Sequence, residues 1–322
     1  MNIPIISKVI SKDILKHIDQ LSFDMSEWNQ NPRIGKDLSK TVLSGGKRLR
    51  PLLLFLSADL FGLCKEKASL YARAVELVHA STLAHDDVID AADLRRGKPS
   101  INAVTSNKQA VLAGDYLLAY VLKEVSSQGN CNVVIELANV IGDLAEGEWL
   151  QIENSQHIAL TRAHVEEVAR KKTGSVLKWC TVVPAILMGK PPHVINDARL
   201  LGEYLGIAFQ LTDDILDLKR NDGCEFQDMK NGVINSVIFE AISKKAEKDC
   251  LNIPEYAEKM SFTQKEIDHA ITASRSRLNS LLEKAENLLK KLTDQSDGEN
   301  LDRQIQTQRS FEALIQFLRI RI

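Results

Sequence analysis

Two short segments of the sequence share the pattern Asp-Asp-x-x-Asp. Their aspartates are Asp86, Asp87 and Asp90 in the first motif, and Asp213, Asp214 and Asp217 in the second. Residues four apart in a helix lie one turn apart on the same face, so the outer aspartates of each motif should project together. Oxygen ligands without histidine or cysteine select a hard cation, which predicts Mg²⁺, or Mn²⁺ in its place. Two such motifs facing each other would hold a diphosphate through metal ions.

A solvated acidic helix face is the alternative explanation for either motif. It is a poor explanation for two copies, because strongly apolar helical segments precede both, at 74–84 and 200–211. Packing gives no reason to place an aspartate triplet at the end of a helix that otherwise resembles core.

Two groups of basic residues lie on either side of the first motif in the sequence. They are Lys47, Arg48 and Arg50, which follow Gly45-Gly46, and Arg95 and Arg96, which come five residues after the motif. Lys47 and Arg50 are three apart, so we expect them to share a helix face. Guanidinium groups match phosphate oxygens in bidentate geometry. Ordinary surface charge would explain either group of basic residues alone. Because both groups accompany acidic motifs that could bind metal, we favour a phosphate site.

Helical periodicity runs through almost the whole chain. A first apolar stripe consists of Ile6, Val9, Ile10, Ile14, Ile18 and Leu21. Further segments with apolar residues at helical spacing are 68–89, 110–125, 133–152, 165–187, 198–218, 237–246 and 263–292. Sustained alternation typical of strands is missing, and turn residues such as Gly97-Lys98-Pro99-Ser100 separate the helices. The pattern predicts an all-α protein of about a dozen helices in a single domain over residues 1–322.

Composition narrows the class of protein. The chain has 322 residues, 44% hydrophobic and 26% charged, with a net charge of −2. This excludes disordered and fibrous classes and disfavours a nucleic-acid partner, which needs a clustered basic surplus. The five cysteines are far apart in sequence, so we expect no disulfide framework and a cytoplasmic location. We expect neither a secretory signal nor a membrane anchor, because no apolar run approaches the ~20 residues that span a bilayer.

Five strings in order resemble the trans-isoprenyl diphosphate synthases, also called the polyprenyl synthetase family. They are G-G-K-R-L-R-P, H-D-D-V-I-D-x-x-D-L-R-R-G-K-P, G-D-Y-L-L-A, K-K-T-G and G-I-A-F-Q-L-T-D-D-I-L-D. Their spacing matches the family from about residue 40 to 232, and F-E-A-L-I-Q-F-L-R-I-R-I resembles its C-terminal end. The resemblance implies a helical bundle around a central cavity and covers nearly the whole chain.

The resemblance also implies a role for individual residues. Both aspartate motifs would bind Mg²⁺ and diphosphate, and Arg95 would hold the allylic diphosphate. The isopentenyl diphosphate site would consist of Lys47, Arg50, His79 and Arg96. Lys172 and Thr173 match the family's Lys-Thr pair, and Gln210 its Phe-Gln pair. Without the family pattern, His79 would be interpreted as a core histidine and Gln210 as a surface residue.

The implied reaction condenses an allylic diphosphate with isopentenyl diphosphate and releases diphosphate. Metal ions held by residues that include Asp86, Asp90 and Asp213 would neutralise the leaving group. Oxygen dipoles of Thr173 and Gln210 would stabilise the allylic cation, and apolar walls would exclude water. The growing tail should run along the helix that carries Asp86. Its chain-length positions are Ser81, Thr82 and Val78, none of them aromatic, which predicts an all-trans product of geranylgeranyl length or longer.

The chain departs from the family pattern after the second motif. Two lysines that usually help to hold the allylic diphosphate are replaced, the first by Gly223 or Cys224 and the second by Val233. Loss of these cations should weaken substrate binding unless Lys219, Arg220 or Lys230 compensates.

Other functions stay open on the sequence. One alternative is a catalytically weakened or regulatory subunit of a heteromeric prenyl diphosphate synthase, which the missing lysines favour and the two intact aspartate motifs oppose. A terpene cyclase or head-to-head condensing enzyme fits the basic strings less well. The family also implies a homodimer, formed by the N-terminal helix and the helices after Ala110, and transient membrane contact when the lipid product is released.

Overall fold

The computed structural model describes residues 8–23, 32–154, 160–220, 233–249, 262–294 and 301–321. Nearly all of their secondary structure is helical, so the predicted all-α class is confirmed. No helix among these residues is long and apolar enough to cross a membrane. The chain divides into two compact units, the first of residues 1–138, 183–191 and 300–307 and the second of 139–182, 192–299 and 308–322. The single-domain assignment stays a prediction.

The chain up to residue 126 folds into six helices and a short hairpin in its described part. The helices are α1 (Lys12–Asp19), α2 (Pro32–Lys40), α3 (Leu49–Phe61), α4 (Lys65–Ile89), α5 (Ile101–Val104) and α6 (Asn107–Ser126). Strands β1 (Leu94–Arg95) and β2 (Lys98–Pro99) pair antiparallel between α4 and α5. The turn residues at 97–100 therefore belong to a hairpin, where sequence periodicity indicated only a break between helices.

Helix α4 is the central element of the first unit, packed against α3 and α6. Helix α3 is apolar on all sides, and every residue from Leu52 to Leu56 is at most 1% exposed, as expected for a helix enclosed by neighbours. It ends at Gly62, whose φ of 83° is the left-handed conformation that glycine adopts at a helix C-terminus. The packing holds the C-terminal turn of α4, which carries the first aspartate motif, on a rigid core.

The predicted N-terminal stripe is only partly correct. Ile10, Ile14 and Ile18 are buried, and α1 begins after Ser11, whose side chain accepts a hydrogen bond from Ile14 N. Val9 precedes the helix and is 37% exposed, so its apolar side chain does not extend the buried stripe. Ile6 lies outside the described residues.

The rest of the chain is also helical in its described part. Its elements are α7 (Cys131–Asn154), α8 (Arg162–Ala169), a π-helical segment (Arg170–Gly174), α9 (Ser175–Leu187), α10 (Pro192–Arg220), α11 (Ser236–Asp249), α12 (Gln264–Asp294) and α13 (Leu301–Ile320). Within the second unit, α10 packs against α12 and the π-helical segment. Helix α12 buries an apolar stripe that includes Ile267, Leu278 and Leu289.

A π-helical turn interrupts the helix predicted over 165–187. It spans Arg170–Gly174 and contains the Lys-Lys-Thr-Gly string. The wider turn accommodates an extra residue without breaking the helical course, which apolar periodicity alone does not reveal. Such turns often occur at functional sites because they change the direction of neighbouring side chains.

Candidate active site

Both aspartate motifs lie on helices, as their spacing predicts. The first occupies the last turn of α4, with Asp90 as the C-cap residue, and the second lies within α10. The two motifs share a burial pattern: the middle aspartate is buried, the first is half-buried and the last is exposed. The outer carboxylates of each motif are therefore accessible from solvent, one helical turn apart.

The middle aspartates make internal contacts. Asp87 is fully buried, and its Oδ1 accepts a hydrogen bond from Arg95 Nε at 2.6 Å. Its Oδ2 is also buried and has no hydrogen-bond partner among the described residues. Asp214 Oδ1 accepts from Gln210 Nε2 at 2.9 Å, and its Oδ2 accepts from Ser236 N at 3.3 Å. In each motif the middle carboxylate thus ties the aspartate-bearing helix to other groups of the predicted site.

The donor set fits a hard divalent cation that is shared with a ligand. The accessible carboxylates supply only oxygen atoms, the donors that Mg²⁺ prefers. Among the described residues, no group of three or more His, Cys, Asp or Glu side chains is arranged to hold a metal by itself. Mg²⁺ normally takes one or two carboxylates and fills its other positions with water and substrate phosphate. The motifs fit this mode, and all six ligand assignments stay predictions.

The hairpin between α4 and α5 directs Arg96 toward the Gly45-Gly46 turn. Arg96 and Gly97 have positive φ values of 54° and 74°, as in the two-residue turns that suit antiparallel hairpins. Arg96 NH1 donates to Ser44 O at 3.1 Å. A Cβ atom on Gly46, whose φ is 97°, would lie 3.4 Å from that nitrogen. Gly46 thus meets both a backbone requirement and a space requirement beside the guanidinium group.

Four arginines surround His79 on α4. Burial is the main cause that lowers the pKa of His79 well below its usual value, and the positive charges of Arg50, Arg96, Arg95 and Arg48 lower it further. The imidazole is therefore neutral at pH 7 and adds no positive charge to the cluster. Its uncharged nitrogens remain suited to hydrogen bonding within a cationic environment.

Only half of this arginine cluster has carboxylate partners. Arg48 NH1 pairs with Glu76 Oε2 at 2.6 Å, and Arg95 pairs with Asp87. No carboxylate of the described residues lies within ion-pair distance of Arg50 or Arg96, and Arg50 Nε is buried without a hydrogen-bond partner among them. A concentration of guanidinium groups with incomplete compensation has the charge and donor geometry that suit an anion such as diphosphate, and the assignment of these residues to substrate stays a prediction.

The expectation that Lys47 and Arg50 share a helix face is wrong. Helix α3 begins at Leu49, and its N-cap residue Arg48 has a left-handed φ of 54°. Lys47 precedes the helix and is exposed, whereas Arg50 lies in its first turn. The three-residue spacing gave a wrong prediction because Lys47 is not in the helix. After the Gly-Gly turn and the left-handed Arg48, the helix begins only at Leu49.

The π-helical segment places Lys172 and Thr173 against different helices. Lys172 Nζ donates to Gln151 Oε1 at 3.1 Å and forms an ion pair with Glu148 on α7. Thr173 Oγ1 donates to Gln210 Oε1 at 2.7 Å on α10. Because Gln210 in turn donates to Asp214, a hydrogen-bond chain connects the Lys-Thr pair to the second aspartate motif. These predicted residues are brought together within the second unit.

Glycines allow the close approach of these helices. A Cβ atom on Gly206 of α10 would lie 2.5 Å from Gly174 Cα and 2.9 Å from Thr173 O. On α7, a Cβ on Gly147 would lie 2.8 Å from Lys172 Cγ. Real contacts of this kind are not shorter than about 3 Å, so only glycine is compatible with the observed backbone spacing. The close approach at Gly206 also brings Thr173 within hydrogen-bond distance of Gln210, one turn later on the same helix.

Sequence reasoning missed the partner of Asp213. Arg321 NH1 lies 2.7 Å from Asp213 Oδ1, and the arginine side chain is only 14% exposed. Its guanidinium carbon is 5.7 Å from the ring centroids of Phe209 and Phe317. The C-terminal string containing Arg321 was recognised only as a family resemblance, and no spacing rule connects it to α10. Glu148 and Gln151 were missed for the same reason.

The chain-length positions lie on α4 before the first motif. Ser81 is fully buried and its Oγ donates to Gly114 O at 3.0 Å, so this side chain faces α6. Thr82 is half-buried and its hydroxyl donates to His79 O at 2.9 Å. Val78 is 1% exposed. These three side chains carry no charge that would bind a cation or a phosphate. Their role in product length stays a prediction.

The predicted loss of two lysines falls mostly outside the described residues. Positions 223, 224 and 230 lie there, and Val233 is the first described residue after the gap. Of the candidate site, the first unit contains Lys47, Arg50, His79, Arg95, Arg96 and the first aspartate motif, and the second contains Lys172, Thr173, Gln210 and the second motif.

Comparison with known proteins gives the class of protein. The chain is 36% identical over 185 residues to heptaprenyl diphosphate synthase component 2 of Geobacillus stearothermophilus, covering 57% of this chain and 58% of that protein. It is 33% identical over 221 residues to octaprenyl diphosphate synthase of Escherichia coli K12, covering 67% of each chain. The crystal structure of decaprenyl diphosphate synthase from Rhodobacter capsulatus superposes with a TM-score of 0.78 at 28% identity, covering 97% of this chain and 98% of that one. The chain thus has the fold of these prenyl diphosphate synthases.

The family follows from the match to a family model. Residues 32–273 match the polyprenyl synthetase family, so the chain belongs to that family. Its relatives differ in product length, from farnesyl to octaprenyl, so similarity alone does not decide the product.

Proposed function

We propose that this protein is a Mg²⁺-dependent, chain-elongating trans-prenyltransferase. It condenses an allylic diphosphate with isopentenyl diphosphate and releases diphosphate. The observation that carries the proposal is the arginine cluster around the neutral His79, which offers a diphosphate site in the same unit as an oxygen-only metal motif. A solvated acidic helix would need no such cluster beside it.

The metal would be held by the two aspartate motifs, with the solvent-accessible outer aspartates as its first ligands and Asp87 and Asp214 beside them. The outer aspartates are Asp86 and Asp90 on α4, and Asp213 and Asp217 on α10. When bound, Mg²⁺ neutralises negative charge on the departing diphosphate. The role of Asp87 is to hold Arg95, which we assign to the allylic diphosphate; Arg50, Arg96, Lys47 and His79 are assigned to isopentenyl diphosphate.

Bond breaking and bond formation follow in sequence. The carbon–oxygen bond of the allylic diphosphate breaks, and the double bond of isopentenyl diphosphate attacks the resulting cation. A proton then leaves the new chain for the released diphosphate. Thr173 and Gln210 present oxygen atoms that stabilise the cation without capturing it covalently, and Lys172 binds diphosphate after exchanging its partner Glu148. No serine or cysteine nucleophile is required.

The product is proposed to be an all-trans chain of geranylgeranyl length or longer. Small or aliphatic side chains at Ser81, Thr82 and Val78 leave no aromatic barrier on α4 before the first motif. Ser81 is a poor position for testing this, because its hydroxyl is bonded to Gly114 O and a phenyl ring would have to displace α6. Thr82→Phe is the better variant, with Thr82→Val as its matched control. The phenylalanine should shorten the product and the valine should not; an unchanged length distribution in Thr82→Phe argues against this tail path.

A second candidate is the weakened or regulatory subunit of a heteromeric synthase. Two observations favour it: the replaced lysines near Cys224 and Val233, and the relative from Geobacillus stearothermophilus that is named a component. The discriminating test is Mg²⁺-dependent diphosphate release by the purified chain alone, from farnesyl diphosphate and isopentenyl diphosphate. Release at a rate typical of enzymes, and its loss in Asp86→Ala, supports the first proposal; release only after addition of a second protein supports the other.

A homodimer is proposed from an exposed apolar seam on α7. The seam consists of Ile135, Ala138, Gly142, Ala145, Trp149 and Ile152, all exposed. Their spacing alternates between three and four residues, the repeat of helices that pair with one another. Ile135 is 57% and Trp149 67% exposed, which is more apolar surface than one helix of a monomer usually presents. Analytical ultracentrifugation of the purified protein should give a mass twice that of one chain. Trp149→Glu should lower the measured mass toward that of one chain.

We assign the protein to the cytoplasm, where the free thiols of Cys64, Cys131 and Cys180 would remain reduced. Contact with a membrane is expected only during product release, because the product is a lipid.

A further inference from the structure

Two buried lysines flank the Lys-Thr pair and share one carboxylate. Lys171 is 9% exposed and Lys178 is 8% exposed. Their ammonium groups bind opposite oxygens of Asp143 on α7: Lys171 Nζ lies 3.1 Å from Oδ1, and Lys178 Nζ lies 3.0 Å from Oδ2. A buried ammonium is costly unless it is paired. Asp143 therefore links the π-helical segment and the first turn of α9 to a single point on α7.

The charges in this cluster reinforce one another. Burial acts to raise the pKa of Asp143, but the hydrogen bonds from Lys178 and Lys171 outweigh burial and lower it. A hydrogen bond to Glu146, at 2.5 Å, raises the pKa of Lys171 against the effect of burial, and Asp143 raises it further. Glu146 itself is 68% exposed, so Asp143 is the partner that is enclosed with the lysines.

Gly147 separates the two lysines of the Lys-Lys-Thr-Gly string. Its Cα faces the π-helical segment so closely that a Cβ would lie 2.9 Å from Lys171 Cβ and 2.8 Å from Lys172 Cγ. From this point Lys171 reaches back one helical turn to Asp143, whereas Lys172 reaches forward one turn to Gln151. The starting directions of the two side chains are set together, because the backbone of one turn fixes the Cα–Cβ directions of Lys171 and Lys172 relative to each other.

We propose that Asp143 is a positioning residue for prenyl transfer. By holding Lys171 and Lys178 it fixes the register of the π-helical segment, so that Lys172 faces Glu148 and Gln151 while Thr173 faces Gln210. Asp143 contacts neither substrate nor metal in this scheme. The inference rests on the proposed function, in which Lys172 and Thr173 act directly.

Asp143→Asn tests the inference with almost no change in side-chain volume. The amide oxygen can accept from only one lysine. Lys171 keeps Glu146 and Glu167 as carboxylate partners, whereas Lys178 loses its only carboxylate partner among the described residues, so the π-helical segment should change register. We expect kcat/KM for farnesyl diphosphate to fall about 100-fold, the loss typical of a catalytic group displaced by about 1 Å. Most of the loss should be in kcat, because the arginine cluster that binds diphosphate belongs to the other unit.

Two further variants separate positioning from general damage. Glu146→Gln removes a carboxylate that contacts only Lys171 and is largely exposed, so we expect less than a threefold change in kcat/KM. Asp143→Asn/Lys178→Gln removes one buried positive charge together with the negative one, and should recover at least tenfold of the activity lost in Asp143→Asn. The double variant also provides the test if Asp143→Asn does not fold.

Amide hydrogen exchange gives a measurement that needs no turnover. Amides of 170–178 should exchange faster in Asp143→Asn than in the wild type, and those of Glu146→Gln should not. Full activity of a folded Asp143→Asn, or loss of activity with unchanged exchange and no recovery in the double variant, overturns the inference. An inactive wild-type chain would instead contradict the proposed function. The exchange comparison would still test whether Asp143 holds the π-helical segment in place.

Discussion

Gly206 offers a direct test of how the structure builds the second half of the site. In Gly206→Ala the new methyl carbon would lie 2.5 Å from Gly174 Cα, 2.9 Å from Thr173 O and 3.0 Å from Gly174 N. All three neighbours are backbone atoms, so no side-chain rotation relieves the overlap. To reach an ordinary contact of 3.4 Å, α10 and the π-helical segment must separate by about 0.9 Å.

That separation has two consequences of predictable size. The Thr173–Gln210 hydrogen bond, 2.7 Å in the wild type, would lengthen beyond a useful distance. Overpacking costs about 1–3 kcal/mol and a lost hydrogen bond about 1 kcal/mol, so the free energy of unfolding should fall by about 2–4 kcal/mol. A displacement of about 1 Å at a catalytic group should lower kcat/KM about 100-fold.

Urea unfolding and steady-state prenyl transfer measure these effects. Gly142→Ala is the matched control, because Gly142 is an exposed helical glycine with no atom within 4 Å of the added carbon. The free energy of unfolding of Gly142→Ala should rise by up to about 1 kcal/mol, since alanine favours helix. Because Gly142 belongs to the proposed dimer seam, this control is compared for stability only. A Gly206→Ala protein as stable and as active as the wild type would refute the assignment of Gly206 to close helix approach.

Three further perturbations address the first unit and the second aspartate motif. Because the pKa of His79 is lowered, the folded state binds fewer protons than the unfolded state below about pH 6.5, so the free energy of unfolding should decrease as the pH is lowered through that range. Urea titrations at pH 5 to 8 should show a smaller decrease in His79→Asn, and equal slopes would be inconsistent with a neutral His79. Gly46→Ala should raise KM for isopentenyl diphosphate, because the added methyl group crowds Arg96. Gly129→Ala is the control: it imposes similar backbone strain at a φ of 74° but has no neighbour within 4 Å, so its KM should be unchanged. Equal KM values for the two variants in initial-rate assays would contradict this explanation. Removing the cation beside Asp213 by Arg321→Ala should tighten Mn²⁺ binding severalfold in electron paramagnetic resonance titrations, and weaker binding would contradict this.

Helix positions and the two aspartate motifs could be predicted because both depend on local spacing. Apolar residues recurring every three or four positions determined α4 and α10, and the Asp-Asp-x-x-Asp pattern placed carboxylates one turn apart on them. The different burial of Asp87 and Asp86 was not predictable in this way. Adjacent residues have similar local signals, and only the partner, Arg95, distinguishes them.

The remaining features depend on contacts distant in sequence. The π-helical turn arises where Lys171 and Lys172 meet α7 on either side of Gly147, which apolar periodicity does not encode. The pair formed by Arg321 and Asp213 joins residues 108 positions apart. The close approach at Gly206 was visible only as part of a family string and that at Gly147 was not visible at all, because a glycine in a helix gives no sign of which backbone it faces.

The central claim is that this chain alone joins an allylic diphosphate to isopentenyl diphosphate in a metal-dependent reaction. The most direct measurement is chromatography of the products formed by the purified chain from farnesyl diphosphate and radiolabelled isopentenyl diphosphate, with Mg²⁺ and with a chelator. With Mg²⁺ we predict labelled all-trans products of twenty carbons or more, because each isopentenyl unit adds five carbons to the farnesyl chain. With the chelator we predict no labelled product. Farnesyl diphosphate left unextended in the presence of Mg²⁺, or extended equally without metal, would contradict the account.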